Sequence, residues 1–391
     1  MQTTNQNQKR DLLNTYIEKH EKNTAIDYKK KLKIFGEFVT KNYDLTLDQL
    51  ITTLTTNSHG PRVDVYDLLS GFVLYLRKER SVSPLTIKLY MNAVRSFLET
   101  YDVELSARKF KLKVKMPRVI QTEKEALQKN DIQTILNACH NMKIKTYVLF
   151  LAATGCRAEE ALSIRLCDLN FTRDPPTVFI RGEFTKTKRD RTIPLTEELA
   201  YQIRQWTSYK YRTRTVSYYD YEIKKTHVEK RIPKTNNKVL LFSNAYRLDV
   251  TVDGLYQNML QHFQKVLDRL GGKYAEFEPS GKRRKFTLHS FRRWVLTTIS
   301  NLGHGDYAQY FIGHAGTTYY RVSDSEKTRL FKMVEPYLTY LDQASLERKG
   351  AEQQVRIEAL EQQNYQLQSE VSKIEKALSE VNKIKEQLGL T

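Results

Sequence analysis

Glycine and proline are scarce in this chain, which has 15 glycines and 9 prolines among 391 residues. Loop-rich, all-β and collagen-like chains need more of both, so the scarcity disfavours those classes. Apolar residues recur instead at helical spacing, for example over 84–101, where Ser83 is suited to cap a helix and Pro84 to begin it. The sequence therefore predicts a mainly α fold with minor strand content.

A large positive charge limits the classes of partner. Lys and Arg number 64 and Asp and Glu 45, a net charge of +19, which indicates a polyanion such as nucleic acid or an acidic membrane surface. No apolar run approaches the roughly 18 residues of a membrane span, and the polar N-terminus lacks a signal-peptide pattern. The three cysteines lack zinc-type spacing. We therefore expect a cytoplasmic protein with reduced thiols, no metal site and no membrane partner.

Breaks in the pattern divide the chain into four segments. Residues 1–10 are polar and predicted to be disordered, 11–116 predict a helical domain, and 117–342 predict a mostly helical domain of mixed α/β character. A charged stretch with a proline at 115–118 predicts the linker between the two domains. The predicted helices cover 11–43, 63–80, 84–101, 129–141, 144–153, 197–206, 252–270 and 291–302, with a Thr-rich break at 51–62 and hairpin strands at 177–181 and 191–194.

The last segment, residues 343–391, carries a heptad pattern typical of a coiled coil. The seam places Ile357, Asn364, Val371, Leu378 and Lys385 at a and Leu360, Leu367, Ile374, Val381 and Leu388 at d. Residues 346–391 hold 7 Lys or Arg and 8 Glu, so the positive charge belongs to the first two domains. The pattern favours self-association as a parallel dimer, while antiparallel pairing and packing on the chain's own body stay open.

Three separated motifs place basic side chains at regular intervals. Alone, each has an ordinary interpretation: an ion pair between Arg157 and Glu160, a solvated hairpin charge at Lys186, or an amphipathic helical turn at 289–292. Their joint order is more specific. The full set is Arg157 and Glu160 in 153–162, Lys186 in 186–195, His289 and Arg292, Gly313 and His314, and Tyr319 and Tyr320.

This set resembles the tyrosine recombinase (phage integrase) family. The family pattern is Thr-Gly-x-Arg-x-x-Glu, a hairpin lysine, His-x-x-Arg, Gly-His and a nucleophilic tyrosine. The resemblance covers about 120–342, looks closest to archaeal integrases, and implies that 117–342 is a catalytic domain and 11–116, on a weaker match, a core-binding domain. The catalytic residues it implies are Arg157, Lys186, His289, Arg292, His314 and Tyr319, with Lys188 as the alternative lysine.

The position of the tyrosine departs from the family pattern. The family's tyrosine usually lies about nine residues after the Gly-His histidine, but position 323 is a serine. Tyr319 is the preferred nucleophile because Arg321 follows at the position where the family often has His or Arg. The alternatives are Tyr320, and then Tyr337 or Tyr340.

These residue types suit the chemistry that the resemblance implies. A tyrosine hydroxyl attacks a DNA phosphodiester and forms a covalent 3′-phosphotyrosine. Arg157 and Arg292 offer forked donors to the phosphate oxygens, His289 assists proton removal, and Lys186 protonates the leaving 5′-oxygen. His314 would donate to the phosphate, and Glu160 would orient an arginine or a histidine. The intermediate conserves bond energy, so no cofactor, metal or ATP is expected.

Basic segments outside the motifs are candidates for holding duplex DNA. Residues 208–238 interleave nine Lys or Arg side chains, Lys210 among them, with five tyrosines; an insertion folded on the catalytic domain is the alternative interpretation. The stretch 281–285 precedes the His289 motif, and the helix at 84–101 carries Lys88, Asn92 and Arg95.

The resemblance implies a site-specific recombinase or integrase that acts on double-stranded DNA as a tetramer and is nucleoid-associated when bound. Two alternatives remain. A type IB topoisomerase shares the chemistry and needs no pairing of two sites, and a DNA-binding accessory protein would have an inactive site.

Overall fold

The computed structural model describes residues 11–56, 63–119, 125–220, 225–234, 238–246, 250–278, 283–314 and 322–341, and in the tail residues 360, 363–365, 367, 368, 371 and 374. It is mainly helical, as predicted. The chain divides into two compact units, Met1–Glu123 and Lys124–Thr391, and each has its own apolar core. The predicted disordered segment 1–10 and most of the predicted coiled coil lie outside the described residues.

The first unit is all helical where it is described. Its helices are α1 Leu12–Glu18, α2 Lys22–Tyr43, α3 Leu47–Thr55, α4 Val65–Lys78, α5 Pro84–Thr100 and α6 Ala107–Lys113. Phe35, Phe72 and Phe97 are fully buried in its core. Val114 is also buried there and Met116 packs against it, so the predicted linker stretch begins on the surface of this core.

Two predictions for the first unit are wrong. The single helix predicted over 11–43 is interrupted after Glu18, where Lys19 and His20 bond back to carbonyls three residues earlier, and α2 begins at Lys22. Helix α3 occupies the start of the predicted Thr-rich break. A reciprocal cap between Thr46 and Gln49 and the burial of Leu50 and Ile51 outweigh the weak helix propensity of threonine.

The second unit surrounds a central helix. Its helices are α7 Lys129–Ala138, α8 Met142–Thr154, α9 Ala158–Leu162, α10 Glu197–Lys210, α11 Val252–Leu270, α12 Gly272–Ala275, α13 Leu288–Asn301, α14 Gly305–Ile312 and α15 Asp324–Val334. Every residue of α8 from Thr146 to Thr154 is buried, as expected for a helix that is apolar on all sides. Helices α7, α10, α11 and α13 pack around it.

The strands form two small antiparallel sheets in the described residues. Strands β1 Leu169–Asn170, β2 Thr177–Ile180 and β3 Arg191–Pro194 pair in that order. The β2–β3 pairing, from Thr177 opposite Pro194 to Ile180 opposite Arg191, confirms the predicted hairpin. A separate ribbon pairs β4 Arg214–Asp220 with β5 Lys225–Arg231. Among the helices described, none has both the length and the apolar character of a bilayer span.

Candidate active site

The first and third motifs meet because Gly155 lacks a side chain. Gly155 ends α8 in the left-handed conformation, with φ of 61°. A Cβ at this position would lie 2.9 Å from Ile312 Cγ2, closer than real Cβ contacts allow, and 3.1 Å from Val295 Cβ, which is a tight contact. The end of α8 is therefore held against α13 and the end of α14, which brings Arg157 and Arg292 to one place.

Glu160 joins two arginines from different elements. Its carboxylate is 1% exposed and accepts from Arg157 Nη1 at 2.6 Å and from Arg191 Nη2 at 2.6 Å. The backbone N–H of Arg157 also donates to it at 3.2 Å. Burial disfavours the charged form, but the two guanidinium groups outweigh it and lower the pKa of Glu160. The carboxylate thus fixes the orientation of Arg157 at the start of α9.

Arg292 is tied to the ends of two helices. Its side chain is buried, and Nη1 donates to the carbonyl of Gly155 at 3.0 Å and to that of Ile312 at 2.6 Å. Carbonyls at helix C-termini favour a cation. Burial, together with repulsion from Arg157, nevertheless lowers the pKa of Arg292 to about 10.

Three buried donors in this cluster have no hydrogen-bond partner among the described residues. They are Nε and Nη1 of Arg191 and Nη2 of Arg292. A buried donor without a partner typically costs about 1–3 kcal/mol. Three guanidinium groups around one carboxylate leave an excess of positive charge. The side chain of Arg157 is 25% exposed, so an anion such as a phosphate diester could approach the cluster through this arginine.

Gly313 lies against the guanidinium of Arg191. It ends α14 with φ of 69°, and a Cβ there would lie 2.6 Å from Arg191 Cζ. His314 follows, exposed, with its backbone N–H donating to Gln309 O at 3.0 Å. The Gly-His pair is therefore held in direct contact with an arginine of β3.

His289 lies in the first turn of α13 with an exposed side chain. Partial desolvation lowers its pKa, and the surrounding cations Arg292, Arg293, Arg157 and Arg283 lower it further. The imidazole is therefore neutral at neutral pH and able to accept a proton.

Lys186 lies in the connection between β2 and β3. The connection is braced by Thr185, whose hydroxyl donates to Gly182 O at 3.0 Å and accepts from Arg189 N–H at 3.1 Å. Lys186 is exposed, and its ammonium makes no hydrogen bond or ion pair with a described residue. Lys188, the alternative, is also exposed and has φ of 52°. The structure therefore joins neither lysine directly to the arginines.

The candidate tyrosines fall into two groups. Tyr319 and Tyr320 lie outside the described residues, so the preference for Tyr319 stays a prediction. Tyr337 is exposed. Tyr340 is buried, donates to Ala152 O at 2.9 Å and accepts from Trp294 Nε1 at 2.8 Å, and burial raises its pKa. A phenol held in this way is poorly suited to be a nucleophile.

Arg191 is the member of the cluster to which sequence reasoning assigned no role. The signal was the alternation in β3, where Arg191 and Ile193 share the buried face and Thr192 is exposed. A cation on the inward face of a strand needs a buried carboxylate partner. Glu160 is that partner. Among the described residues, no cluster of His, Cys, Asp and Glu is arranged to hold a metal ion.

The basic segments outside the cluster have mixed environments. Lys210 is buried and donates to Leu240 O at 2.7 Å, and burial lowers its pKa to about 7, so its assignment as a surface contact to phosphate is wrong. Arg284 pairs with Asp268 at 2.6 Å, and 281–282 lie outside the described residues. Lys88 and Asn92 are exposed on α5, while Arg95 covers the ring of Phe110.

Comparisons with known proteins converge on one family. The family model described as the phage integrase family matches residues 125–324. Tyrosine recombinase XerA of Saccharolobus solfataricus is 32% identical over 234 residues, which are 59% of this chain and 63% of that protein. XerA of Pyrococcus horikoshii is 25% identical over 164 residues, 42% of this chain and 54% of that protein. The chain thus matches between half and two thirds of the length of these relatives.

Solved structures show the same fold at low sequence identity. A lambda integrase dimer bound to a core site has a TM-score of 0.51 and 12% identity, with 82% of this chain and 75% of that chain covered. XerH bound to a palindromic difH substrate, a post-cleavage complex, has a TM-score of 0.50 and 17% identity, with 84% of each chain covered.

Proposed function

Because the chain belongs to the phage integrase family of tyrosine recombinases, we propose that it is a site-specific DNA recombinase that cleaves and rejoins duplex DNA through a covalent 3′-phosphotyrosine. One observation carries the proposal beyond the family assignment. Arg157 and Arg191 bind Glu160, Arg292 interacts electrostatically with Arg157 and Glu160, and the side chain of Arg157 is 25% exposed. Such a preorganised cationic site fits the phosphate of the DNA backbone.

The proposed reaction begins when a tyrosine hydroxyl attacks the phosphorus. Tyr319 is our candidate nucleophile, and Tyr320 is the alternative. The transition state places extra negative charge on the non-bridging oxygens, which Arg157 and Arg292 stabilise through forked donors. Since these donors are held before the substrate arrives, little reorganisation is needed during the reaction.

Proton transfer is assigned to three further residues. His289, neutral because its pKa is lowered, accepts the tyrosine proton as the phosphorus–oxygen bond forms. Lys186 protonates the 5′-oxygen as its bond to phosphorus breaks, and the exposed hairpin would bring it to the DNA. His314 donates to the phosphate. The second half of the reaction reverses these roles with another 5′-hydroxyl as the attacking group.

Double-stranded DNA and self-association on DNA are parts of this proposal. The net charge of +19 supports a polyanionic substrate, and joining two DNA sites requires more than one active site. A nucleoid location would follow from DNA binding.

A covalent trap that needs no defined target sequence tests the proposal. The protein is incubated with a library of randomised, nicked duplexes. Cleavage near the nick releases a short fragment that diffuses away, so the strand cannot be rejoined and the covalent adduct accumulates. Complexes that survive denaturing washes are sequenced, and the DNA-linked peptide is mapped. We expect an adduct on Tyr319. An adduct on Tyr320 would move the nucleophile and keep the chemistry, and no adduct at all would support an inactive accessory protein.

Tyr319→Phe, Tyr320→Phe and Tyr337→Phe form a matched set for this trap. Each removes one hydroxyl, and Tyr337 is exposed but outside the Gly-His interval. We expect Tyr319→Phe to bind the selected DNA and form no adduct, while Tyr337→Phe traps normally. Incubation with supercoiled plasmid that lacks the selected sequence tests the remaining alternative, a type IB topoisomerase. Fast relaxation of this plasmid would indicate a topoisomerase.

A further inference from the structure

The β4–β5 ribbon is a two-stranded sheet that no third strand joins in the described part of the chain. Its seven residue pairs run from Arg214 opposite Arg231 to Asp220 opposite Lys225. An isolated two-stranded hairpin is only marginally stable in water. Because this ribbon is exposed and long, we expect a binding partner to cover one of its faces.

The base of the ribbon is fixed to the second unit. The guanidinium of Arg214 lies 5.7 Å from the ring centre of Tyr209 and 5.5 Å from that of Tyr246. Tyr246 Oη donates to Arg212 O at 2.6 Å, and the Arg212 guanidinium covers Tyr209 at 3.5 Å. The ribbon thus projects from an anchored base of stacked rings and cations.

The two faces of the ribbon differ in composition. Residues directly opposite each other share a face, so Arg214, Val216 and Tyr218 lie on one side with their partners Arg231, Glu229 and His227. This first face is partly buried at Arg214, Val216 and His227. The second face, called here the outer face, consists of exposed side chains only where it is described: Thr215, Ser217, Thr226, Val228 and Lys230.

We propose that the outer face enters a groove of the duplex DNA on which the protein acts. The inference rests on the proposed function and adds a second DNA contact to it. A two-stranded ribbon fits the width of the major groove. Hydroxyls such as Thr215 and Ser217 contact bases and phosphates, an ammonium such as Lys230 contacts phosphates, and a small apolar group such as Val228 suits a thymine methyl.

Charge distinguishes DNA from a protein partner. The described outer face carries one lysine, Lys230, and no acid, whereas Lys225 and Arg231 lie on the first face together with Glu229. The apolar side chain described on the outer face is Val228, which is 64% exposed. A stable protein interface buries a much larger, aromatic-rich area, on the order of 800 Å² on each side. DNA therefore fits this face better than a second protein chain.

The test compares a variant of the outer face with a variant of α15 on one DNA probe. The probe is a linear duplex of mixed sequence, and binding is measured by fluorescence anisotropy over a series of salt concentrations. Thr215→Ala/Ser217→Ala/Lys230→Ala changes three exposed side chains for which the structure shows no hydrogen bond or ion pair to described residues. Lys332→Ala is the control, because it also removes one exposed cation from the second unit.

We expect the triple variant to bind about tenfold more weakly, with the slope of log K against log salt reduced by about 0.9 for a lost phosphate contact. Methylation interference at guanine N7, a major-groove atom, should weaken in the triple variant. The control should change neither. Unchanged affinity and slope in the triple variant would overturn the inference. A loss confined to self-association in sedimentation without DNA would also overturn it and assign the face to a protein contact.

The experiments distinguish failure of the ribbon inference from failure of the proposed function. If the wild-type protein forms no covalent adduct with nicked DNA, the proposed function fails, yet anisotropy still shows whether the ribbon contacts DNA. If the adduct forms and the triple variant binds as wild type, only the ribbon inference fails. Circular dichroism of the triple variant checks that the helical content is retained.

Discussion

The glycine before His314 is required by a neighbour from a different motif. Both a left-handed backbone at φ of 69° and the guanidinium of Arg191 exclude a side chain at position 313. Arg191 in turn holds Glu160, which orients Arg157. A change at position 313 should therefore reach Arg157 through Arg191 and Glu160.

Gly313→Ala should disturb this chain of contacts. An alanine would push the Arg191 guanidinium away from Glu160, and a misplacement of about 1 Å can cost on the order of 10² in rate. Gly303→Ala is the matched control, since Gly303 has φ of 85° but open space around it. Both variants should lose about 1–2 kcal/mol of stability from backbone strain. The rate of single-turnover cleavage of the selected nicked duplex measures the difference between the two variants. Equal losses of rate would contradict a steric clash between the new methyl group and the Arg191 guanidinium.

The pH dependence of cleavage should report the cations around His289. Its pKa lies below the usual 6.5, so the imidazole stays a neutral base until the pH falls through that lowered value. Protonation of His289 should then make cleavage decline on the acid side. Arg293→Gln removes one of the cations and should raise the pKa, which shifts the acid limb to higher pH. An identical profile for the two proteins, measured in single turnover, would remove His289 from the assigned role.

At the scale of elements, local patterns were predicted best where one face is buried and the other exposed. Helix α5 and the β2–β3 hairpin follow such alternation within a residue or two. Helix α3 was missed because burial of Leu50 and Ile51 depends on neighbours distant in sequence. Lys210 was misassigned for the same reason, since its partners are carbonyls of 240–241.

Part of the candidate site could be predicted from local sequence motifs, and part depends on contacts between distant segments. The order of the motifs selected Arg157, His289, Arg292 and His314 as candidates, and their catalytic roles stay predictions. The contact between Arg191 and Gly313 joins β3 to the end of α14, and spacing along a chain carries no information on such a contact. The requirement for glycine at position 155 is equally invisible in the sequence, because it depends on Val295 of α13 and Ile312 of α14, which lie against this residue.

The tail offers a prediction at the scale of one element. Its described residues are helical, and the seam positions Leu360, Leu367, Val371 and Ile374 are each more than half exposed. An uncovered seam favours self-association, which a peptide of residues 346–391 should show as a dimer in sedimentation at micromolar concentration. Asn364→Leu should shift it to higher oligomers, because a polar a position specifies the oligomeric state. A monomeric peptide would contradict the coiled-coil assignment.

At the scale of the whole molecule, two separate cores have different tasks in the proposed function. The core of the second unit includes α13, which carries Arg292, and α8 and α14, at whose C-terminal ends the carbonyls of Gly155 and Ile312 accept hydrogen bonds from that arginine. The core of the first unit holds α2, α4 and α5 together through a cluster of aromatic rings that includes Phe35, Phe38 and Phe72. No buried apolar residue belongs to both cores, so the stability of the catalytic cluster is set within its own unit.

Differential scanning calorimetry of the full chain should therefore show two unfolding transitions. Phe72 and Phe150 are both fully buried, one in each core, and truncation of a buried phenylalanine to alanine costs about 3–5 kcal/mol. Phe72→Ala should lower the melting temperature of one transition and Phe150→Ala that of the other, because each cavity lies in a separate core. Leu112→Ala, at a position 71% exposed, is the control and should move neither. A single transition that both core variants lower equally would mean that the two units unfold as one cooperative body, and a loss of stability in either core would then affect the arginine cluster.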